Sequence, residues 1–303
     1  MKTSSLPLNE AAVRALRGHD LPVLTDYQLG LLVYRLIKNG RSSNVALRLQ
    51  TTEPQRRHYT QVLRFLLTLS VAAPVKGFAE GAVFSLLGKD NPSPLEVLCT
   101  VDPCAYVSHL SAMEYHGLTD RVPTTVYLTS PPNREWRELA HARMQKDLPD
   151  AVEAYQMAGF PTLRRWRIAS IGKRSVHLTQ RKNAGAFVLN AHGHLRVSSI
   201  GRTFLEMVES PALCGGIRHV IDIFRDHAAP HLKLILADVD RHGTTIDKVR
   251  VGYLLEDVCT LRDPVIDRWQ VTAVQRGGSR KLDASAPYAS KYSERWSLSL
   301  NHE

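Results

Sequence analysis

Cysteine is scarce in this 303-residue sequence, which has four cysteines and no C-x-x-C pair. A disulfide framework or a zinc site built on cysteine pairs needs more cysteines at closer spacing. We therefore expect reduced and mostly buried thiols at Cys99, Cys104, Cys214 and Cys259.

Long apolar runs are also missing. The most apolar stretch, residues 62–75, is interrupted by Arg64, Thr68 and Ser70, whereas a membrane-spanning helix needs about 20 apolar residues. The first twenty residues have no apolar segment of the kind found in secretory signals. These absences predict a cytoplasmic protein that does not associate with a membrane.

Motifs for catalysis, metals and cofactors are absent as well. No Gly-x-x-x-x-Gly-Lys-Ser/Thr phosphate loop occurs. A metal site needs three or four converging ligands. A catalytic nucleophile needs a base within hydrogen-bond distance, and we do not expect two neighbouring residues of a helix to reach each other in this way. The patterns set aside on these grounds are His192-x-His194, His227-x-x-x-His231, Asp238-x-Asp240 with Asp247, Ser108-His109, Gly215-Gly216 and Gly277-Gly278. We predict a protein that is not an enzyme, with no catalytic residues, no metal and no cofactor.

Positive charge is in excess, with 39 Lys and Arg against 29 Asp and Glu. Residues 1–90 carry a net charge of +6 and residues 154–205 carry +9, whereas residues 91–153 and 206–303 carry −4 and −1. Clustered cations are suited to neutralising a row of phosphates, because each contact releases a condensed counterion. A solvated basic surface is the alternative interpretation of either block.

The first basic block has the pattern of a winged helix-turn-helix. Residues 25–38 have helical apolar spacing, with Thr25 or Asp26 as the N-cap and Asn39-Gly40 as the end. Ser42 and Ser43 are expected to begin a short second helix over residues 45–49. A third helix should follow Thr52, and then two short strands over residues 71–75 and 82–87. The inward side of the third helix is predicted to consist of Leu63, Leu66, Leu67 and Ser70.

The outward side of the third helix carries the residue types that read a DNA major groove. Arginine pairs with guanine, glutamine pairs with adenine, and threonine contacts phosphate or the thymine methyl group. The predicted recognition residues are Arg56, Arg57, Thr60, Gln61 and Arg64, and the predicted phosphate contacts are Arg41, Arg48 and Lys76. The alternative is an ordinary three-helix bundle with a solvated basic side.

The chain length favours two domains, and Asn91-Pro92-Ser93-Pro94 is a suitable junction, because two prolines break any continuing element. We predict a DNA-binding domain over residues 1–90 and a larger domain over residues 91–303. The larger domain should mix helices and strands without regular alternation, so the fold class is α/β mixed (α+β). The predicted helices span residues 94–100, 108–116, 133–147, 200–209, 211–227, 230–241 and 244–261. The predicted strands span residues 124–129, 163–171, 175–180, 186–189, 269–274 and 295–300.

Two motifs in the second domain resemble the AbiEi-type antitoxins of type IV toxin–antitoxin systems. The first, at residues 106–130, is similar to the family's Ser-His-x-Ser-Ala-x-x-x-x-Gly-Leu helix and the strand after it, through Ser108, His109, Ser111, Ala112, Gly117 and Leu118. The second, at residues 197–224, is similar to an Arg-Thr-x-x-Asp-x-x-x-x-Pro-x-x-x-Gly-Gly helix pair, through Arg202, Thr203, Pro211, Gly215 and Gly216, with Glu206 in place of the usual Asp. The segment VGYLLE at Val251–Glu256 is a third point of similarity.

The resemblance implies a winged helix that binds inverted repeats in its own promoter and represses transcription. It also implies a C-terminal α/β domain needed for antitoxin activity against a nucleotidyltransferase-type toxin in a phage-defence system. Direct binding of that toxin is not implied. From the residues themselves, Ser108 and Ser111 are expected to cap a helix, Gly117 to adopt the left-handed conformation, and Arg202 to pair with Glu206.

The second basic block has no carboxylate between Glu153 and Glu206, and Trp166 and His177 lie among its cations. We expect it to add non-specific DNA contacts. The alternatives are a sheet whose cations pair with the acidic segment 91–153, and a non-enzymatic module that binds RNA or a protein. The block consists of Arg164, Arg165, Arg167, Lys173, Arg174, Arg181 and Lys182, followed by Arg196 and Arg202.

Overall fold

The computed structural model describes residues 5–89, 92–182, 185–191, 193–275 and 280–302. Helices and several small sheets alternate irregularly along the chain, so the predicted mixed α/β (α+β) class is confirmed. Within these ranges no helix combines the length and the apolar composition needed to cross a bilayer.

The chain divides into two compact units, each made of two segments. Unit 1 comprises Met1–Ala105 and Ser130–Ser175, and unit 2 comprises Tyr106–Thr129 and Val176–Glu303. This division differs from the predicted boundary between residues 90 and 91, which lie outside the described residues. Unit 1 takes in residues 130–175 because Met144, Leu148, Tyr155 and Phe160 are buried in one apolar cluster with the N-terminal helices.

Unit 1 contains six helices and seven strands among its described residues, and two further strands are divided between the units. The helices are α1 (Leu8–Leu16), α2 (Asp26–Asn39), α3 (Arg56–Thr68), α4 (Pro94–Val101), α6 (Asn133–Asp147) and α7 (Val152–Met157). The strands are β1 (Leu6–Pro7), β2 (Leu24–Thr25), β3 (Arg41–Ser42), β4 (Val45–Arg48), β5 (Ala72–Pro74), β6 (Val83–Leu86) and β9 (Ser170–Ile171). One of these is β10 (Arg174–Gln180), whose residues Arg174 and Ser175 lie in unit 1 and pair with β9; the other is β8 (Thr125–Ser130), of which only Ser130 lies in unit 1.

The N-terminal part of unit 1 has the element order of a winged helix-turn-helix. Helix α1 is followed by β2, α2, α3 and the hairpin of β5 and β6, and the three strands form an antiparallel sheet in the order β2-β6-β5. The predicted bounds of α2 are confirmed: Thr25 is its N-cap and Gly40, with φ of 60°, ends it. Gln28 completes the cap, since its backbone N–H donates to the Thr25 hydroxyl and its side chain accepts from the Thr25 N–H.

The predicted short second helix over residues 45–49 is wrong, because this segment forms a strand hairpin. Strand β4 pairs antiparallel with β3 and parallel with β1. Gly40 and Ser43 both have positive φ, which turns the chain back on itself before β4 begins. The first helix of the module is therefore α1, which was not predicted, and the hairpin is inserted between α2 and α3.

Helix α3 begins at Arg56 rather than Thr52, and its inward side differs from the prediction. Tyr59, Val62 and Leu66 are buried, whereas Leu67 and Ser70 are exposed. The Tyr59 ring packs against Phe160 with ring centroids 6.5 Å apart. The aromatic side chains around Phe160 thus determine which side of α3 is buried.

Unit 2 consists of a sheet, two long helices packed on each other, and a small C-terminal sheet. Its helices are α5 (His109–Tyr115), α8 (Ile200–Glu209), α9 (Ile217–His242), α10 (Thr245–Tyr253) and α11 (Pro264–Gln275), with a 3-10 turn at Pro211–Cys214 and a π-helical turn at Leu254–Val258. Its strands are β7 (Tyr106–Val107), β8 (Thr125–Ser130, its last residue in unit 1), the main part of β10, β11 (Phe187–Leu189), β12 (Arg196–Ser198), β13 (Arg280–Lys281), β14 (Tyr292–Ser293) and β15 (Leu298–Ser299). The strands of the larger sheet lie in the order β11-β12-β7-β8-β10, and β7 and β12 are parallel.

Several element predictions in the second half are wrong. The predicted break at residues 228–229 is absent, because α9 continues through Pro230, with Phe224 and Ile235 buried on either side of it. Residues 269–274 belong to α11 rather than to a strand, since Ile266 and Trp269 are buried at helical spacing. The predicted strand 163–171 is reduced to β9.

Gly30 of α2 gives a direct test of the packing between the two segments of unit 1. A Cβ atom at this position would lie 2.3 Å from the hydroxyl oxygen of Tyr155 and 3.2 Å from Pro161. We expect Gly30→Ala to lower the free energy of unfolding by about 1–3 kcal/mol through overpacking, measured by urea denaturation. Gly18→Ala is the control, because its Cβ would have a nearest neighbour at 3.8 Å. Equal effects of the two substitutions would contradict the packing.

Candidate nucleic-acid interface on α3

The N-terminus of α3 is held by a reciprocal cap between Gln55 and His58. The His58 backbone N–H donates to the Gln55 carbonyl oxygen at 3.0 Å, and the Gln55 backbone N–H donates to His58 Nδ1 at 3.1 Å. Burial and the nearby charge of Arg57 lower the pKa of His58, so the imidazole is neutral and can accept this bond near neutral pH. The cap fixes where the exposed side of α3 begins.

All five predicted recognition residues are exposed on α3. They line one shallow surface groove together with Asn9 of α1 and with Phe65 and Thr68 of α3; these residues are Arg56, Arg57, Thr60, Gln61 and Arg64. They are brought together because Tyr59, Val62 and Leu66 occupy the buried side of the same helix.

Hydrogen bonds orient two of the polar groups in the groove. Gln61 Nε2 donates to Asn9 Oδ1 at 3.3 Å, and the Thr60 hydroxyl donates to the Arg56 carbonyl oxygen at 3.2 Å. Arg56, Arg57 and Arg64 form no ion pair with any residue in the described ranges. Three arginine side chains are therefore available to an external anion or to a base edge.

The three predicted phosphate contacts are exposed but do not line this groove. Arg41 lies on β3, Arg48 on β4, and Lys76 in the turn between β5 and β6, which is the position of the wing. Arg48 Nε donates to Ser5 Oγ at 3.4 Å. Arg41 lines a separate surface depression between α1 and α2.

Asn9 is the residue of this groove that the sequence reasoning missed. It lies on α1, whose buried Leu8, Ala11, Ala12 and Leu16 have helical spacing directly after Pro7. That spacing could have predicted α1 and, with it, the exposed position of Asn9.

The second basic block divides between the units, and part of it is engaged with carboxylates. In unit 1, Arg164 donates to the buried Asp26 at 2.8 Å and stacks over Trp166. Arg165, whose side chain is 13% exposed, lies 3.9 Å from Asp102 and donates to Asn133 Oδ1. Pairing with the acidic segment 91–153, which we considered as an alternative, thus occurs at Arg165. Arg167 and Lys173 are exposed, whereas Arg174 is half-buried.

In unit 2, Arg181 binds both carboxylate oxygens of Glu209. Arg202 is buried and contacts Glu206 at 3.4 Å, as predicted, and Glu209 at 3.1 Å. Lys182 is exposed and Arg196 is half-buried.

The Ser-His motif forms a buried polar network rather than a helix cap. Ser108 precedes α5 without capping it, and its hydroxyl lies 2.8 Å from His109 Nδ1 and 2.9 Å from the Thr129 hydroxyl. The expectation that adjacent Ser108 and His109 could not approach each other is wrong, because His109 has a φ of 51°. The Ser111 hydroxyl accepts from the Tyr127 N–H of β8 instead of capping α5. Gly117 has the predicted positive φ, 66°.

No group of three or more His, Cys, Asp or Glu side chains in the described ranges is arranged to hold a metal ion. His192, Gly277 and Gly278, which belong to patterns set aside above, lie outside those ranges.

Comparison with known proteins gave structural similarity of low degree. No family model matches the chain, and no curated protein matches its sequence. A crystal structure of the RV2827C protein from Mycobacterium tuberculosis is 16% identical, with 96% of this chain and 90% of that chain covered and a TM-score of 0.45.

The buried imidazole of His109 predicts a loss of stability in acid. Burial lowers its pKa, an effect that the charge of Glu206 opposes. Between the unfolded value of about 6.5 and the lower folded value, the unfolded chain binds more protons, so this contribution to stability is lost as the pH falls through that window.

We expect His109→Gln to reduce the acid-dependent loss of unfolding free energy, measured by urea denaturation between pH 7.5 and 5. Thr129→Val, which removes a hydroxyl of the same buried network but no titratable group, is the control and should keep the wild-type dependence. A wild-type pH dependence in the His109 variant would contradict the assignment.

Proposed function

We propose that this chain is a non-enzymatic, cytoplasmic DNA-binding protein that represses its own promoter, with α3 as the recognition helix. The observation that carries the proposal is the exposed side of α3, where Arg56, Arg57, Thr60, Gln61 and Arg64 share one groove. They lie on the third helix of a module with winged-helix element order.

The chemistry of this surface supports double-stranded DNA as the ligand. An α-helix fits the major groove of B-DNA, where arginine makes a bidentate contact with guanine and glutamine with adenine. Arginines without an internal carboxylate partner lose no ion pair when they bind DNA. An ordinary solvated surface of mixed sign would instead pair its cations with neighbouring acids.

Three exposed cations outside the groove are proposed to position the module on the duplex. Lys76 lies in the turn between β5 and β6, and Arg41 and Arg48 lie on the hairpin inserted before α3. Contacts of this type fix register without reading sequence, and they make binding dependent on salt.

We further propose that the protein is the antitoxin of a type IV toxin–antitoxin system, with unit 2 as the part needed for antitoxin activity. This part of the proposal is supported by the sequence resemblance at residues 106–130 and 197–224. Its functional partner would be a nucleotidyltransferase-type toxin. The test is co-expression with the product of the adjacent gene, in which growth arrest relieved by the chain supports the proposal and unrelieved arrest contradicts it.

Binding to the promoter is tested by a gel shift with the roughly 200 base pairs upstream of the gene, over a salt series, against random duplex and tRNA. We expect a preference for the upstream duplex and a weakening of binding as salt rises. Tighter binding of tRNA would favour the alternative, an RNA-binding module that uses the second basic block.

The roles within the surface are separated by two variants. Arg57→Ala with Gln61→Ala should weaken binding to the upstream duplex by about tenfold or more and affect random duplex less, because base contacts of this kind contribute about 1–3 kcal/mol each. Lys76→Ala should weaken binding to both duplexes about equally, since a phosphate contact carries no sequence information. Equal losses on both duplexes for both variants would contradict the assignment of α3 as the recognition helix.

A further inference from the structure

A surface depression between α1 and α2 is lined by arginines and by no acidic residue of the described ranges. Its volume is about 250 Å³, just below the range of about 300–1,000 Å³ that is usual for drug-sized ligands. The polar part of its lining consists of Arg14, Arg35, Asn39, Arg41, Ser42 and Ser43, which all belong to unit 1. The proposed recognition residues of α3 are not part of it.

The three arginines of this lining have no acidic partner. All are exposed, and none forms an ion pair with a carboxylate of the described residues. Arg35 donates one hydrogen bond, from Nη2 to the backbone carbonyl oxygen of Asp147, which orients its guanidinium group. The Asp147 carboxylate is bound by Arg143 and Tyr27 instead. The guanidinium groups of the depression are therefore available to an external anion.

The helices that form the depression do not balance its charge. Arg14 lies in the last turn of α1, and Asn39 is the last residue of α2, so the negative ends of two helix dipoles lie here. Each end is equivalent to roughly −0.5 charge, whereas three guanidinium groups carry +3. About two positive charges remain, and like charges held together without a counter-charge repel one another. A bound anion would remove this repulsion.

Ser42 adds a hydroxyl that the protein leaves unused. The residue is only 7% exposed, and its backbone is fixed by pairing with Val45 in the hairpin of β3 and β4. Its hydroxyl forms no hydrogen bond with the described part of the chain. Guanidinium groups have donors only, so the acceptors among the lining side chains are the Asn39 amide oxygen and the two serine hydroxyls. Donors thus exceed acceptors.

We propose that this depression binds a phosphate group, held by the guanidinium groups of Arg14, Arg35 and Arg41 and by the Ser42 hydroxyl. A phosphate monoester carries about −1.5 to −2 charge near pH 7 and three acceptor oxygens, which matches the excess of charge and of donors. A backbone phosphate of bound DNA and the phosphate of a free nucleotide share this chemistry. The DNA source rests on the proposed function, whereas the free source does not.

The test compares Arg14→Ala with Arg17→Ala in the full-length protein. Each substitution removes one exposed arginine from the C-terminal end of α1, but only Arg14 lines the depression. Ser42→Ala removes the hydroxyl without changing the charge. Urea denaturation shows whether each variant is folded.

Two measurements distinguish the sources of the phosphate. Calorimetric titration with inorganic phosphate and, separately, with adenosine monophosphate detects a free phosphate. Binding to random duplex over a salt series detects a DNA phosphate, because each lost contact lowers the slope of log K against log salt by about 0.9.

We expect Arg14→Ala to weaken phosphate binding about tenfold or more, the loss expected for a hydrogen bond between charged groups, or to lower the salt slope by about 0.9. Ser42→Ala should weaken binding in the same measurement, and Arg17→Ala should behave as wild type in both. A calorimetric effect alone would identify a free phosphate, and a slope effect alone would identify a DNA phosphate.

Equal effects of Arg14→Ala and Arg17→Ala would overturn the proposal, because they would show a general effect of surface charge. Wild-type behaviour of Arg14→Ala in both measurements, or absence of binding in both, would also overturn it. Lack of preference for the upstream duplex, with the effects of Arg14→Ala and Ser42→Ala retained, would contradict the proposed function and leave the phosphate site supported.

Discussion

The aromatic cluster in unit 1 is the interaction on which the exposed side of α3 depends. Tyr34 packs edge-on against Tyr155 and Phe160, with ring centroids 5.2 and 5.6 Å apart, and Tyr59 of α3 packs against the same Phe160. Burying a large apolar side chain stabilises the fold by about 1.5–3 kcal/mol. This is far more than the difference in helix propensity between ordinary residue types. Because Tyr59, Val62 and Leu66 are buried on one side of α3, the polar side of the helix must face solvent.

This cluster also explains why unit 1 is larger than the N-terminal module alone. Tyr155 and Phe160 lie more than sixty residues after the wing, yet they complete the core beneath α2 and α3. In unit 2, buried polar groups connect the elements. The carboxylate of Glu206 on α8 accepts hydrogen bonds from Tyr106 of β7, from the His109 N–H at the start of α5 and from Arg202 of α8. Removing one member of such a network leaves another buried polar group unsatisfied.

Elements with local signals could be predicted from sequence, and elements that depend on distant partners could not. Helix α2 is bounded by Thr25 and Gly40, whose capping roles are visible within the segment itself. The hairpin of β3 and β4 pairs with Leu6 and Pro7 about forty residues away, so its local helical spacing was misleading. The five exposed polar residues of α3 were predicted from periodicity, but its buried side was not, because Tyr59 packs against the distant Phe160. Three features were not predictable in this way. The place of Asn9 in the groove and the pairing of Arg181 with Glu209 depend on tertiary contacts. The approach of Ser108 to His109 depends on an unusual φ that no local pattern encodes.

The central claim is that α3 binds in the major groove of the DNA. Cross-linking tests this claim most directly. A photo-reactive amino acid would be placed singly at Thr60 on α3, at Leu139 on α6 and at Leu178 on β10, all of which are exposed. Irradiation with the labelled upstream duplex should cross-link strongly from position 60 and weakly from position 139. Cross-linking from position 178 with none from position 60 would contradict the account and assign DNA binding to the second basic block.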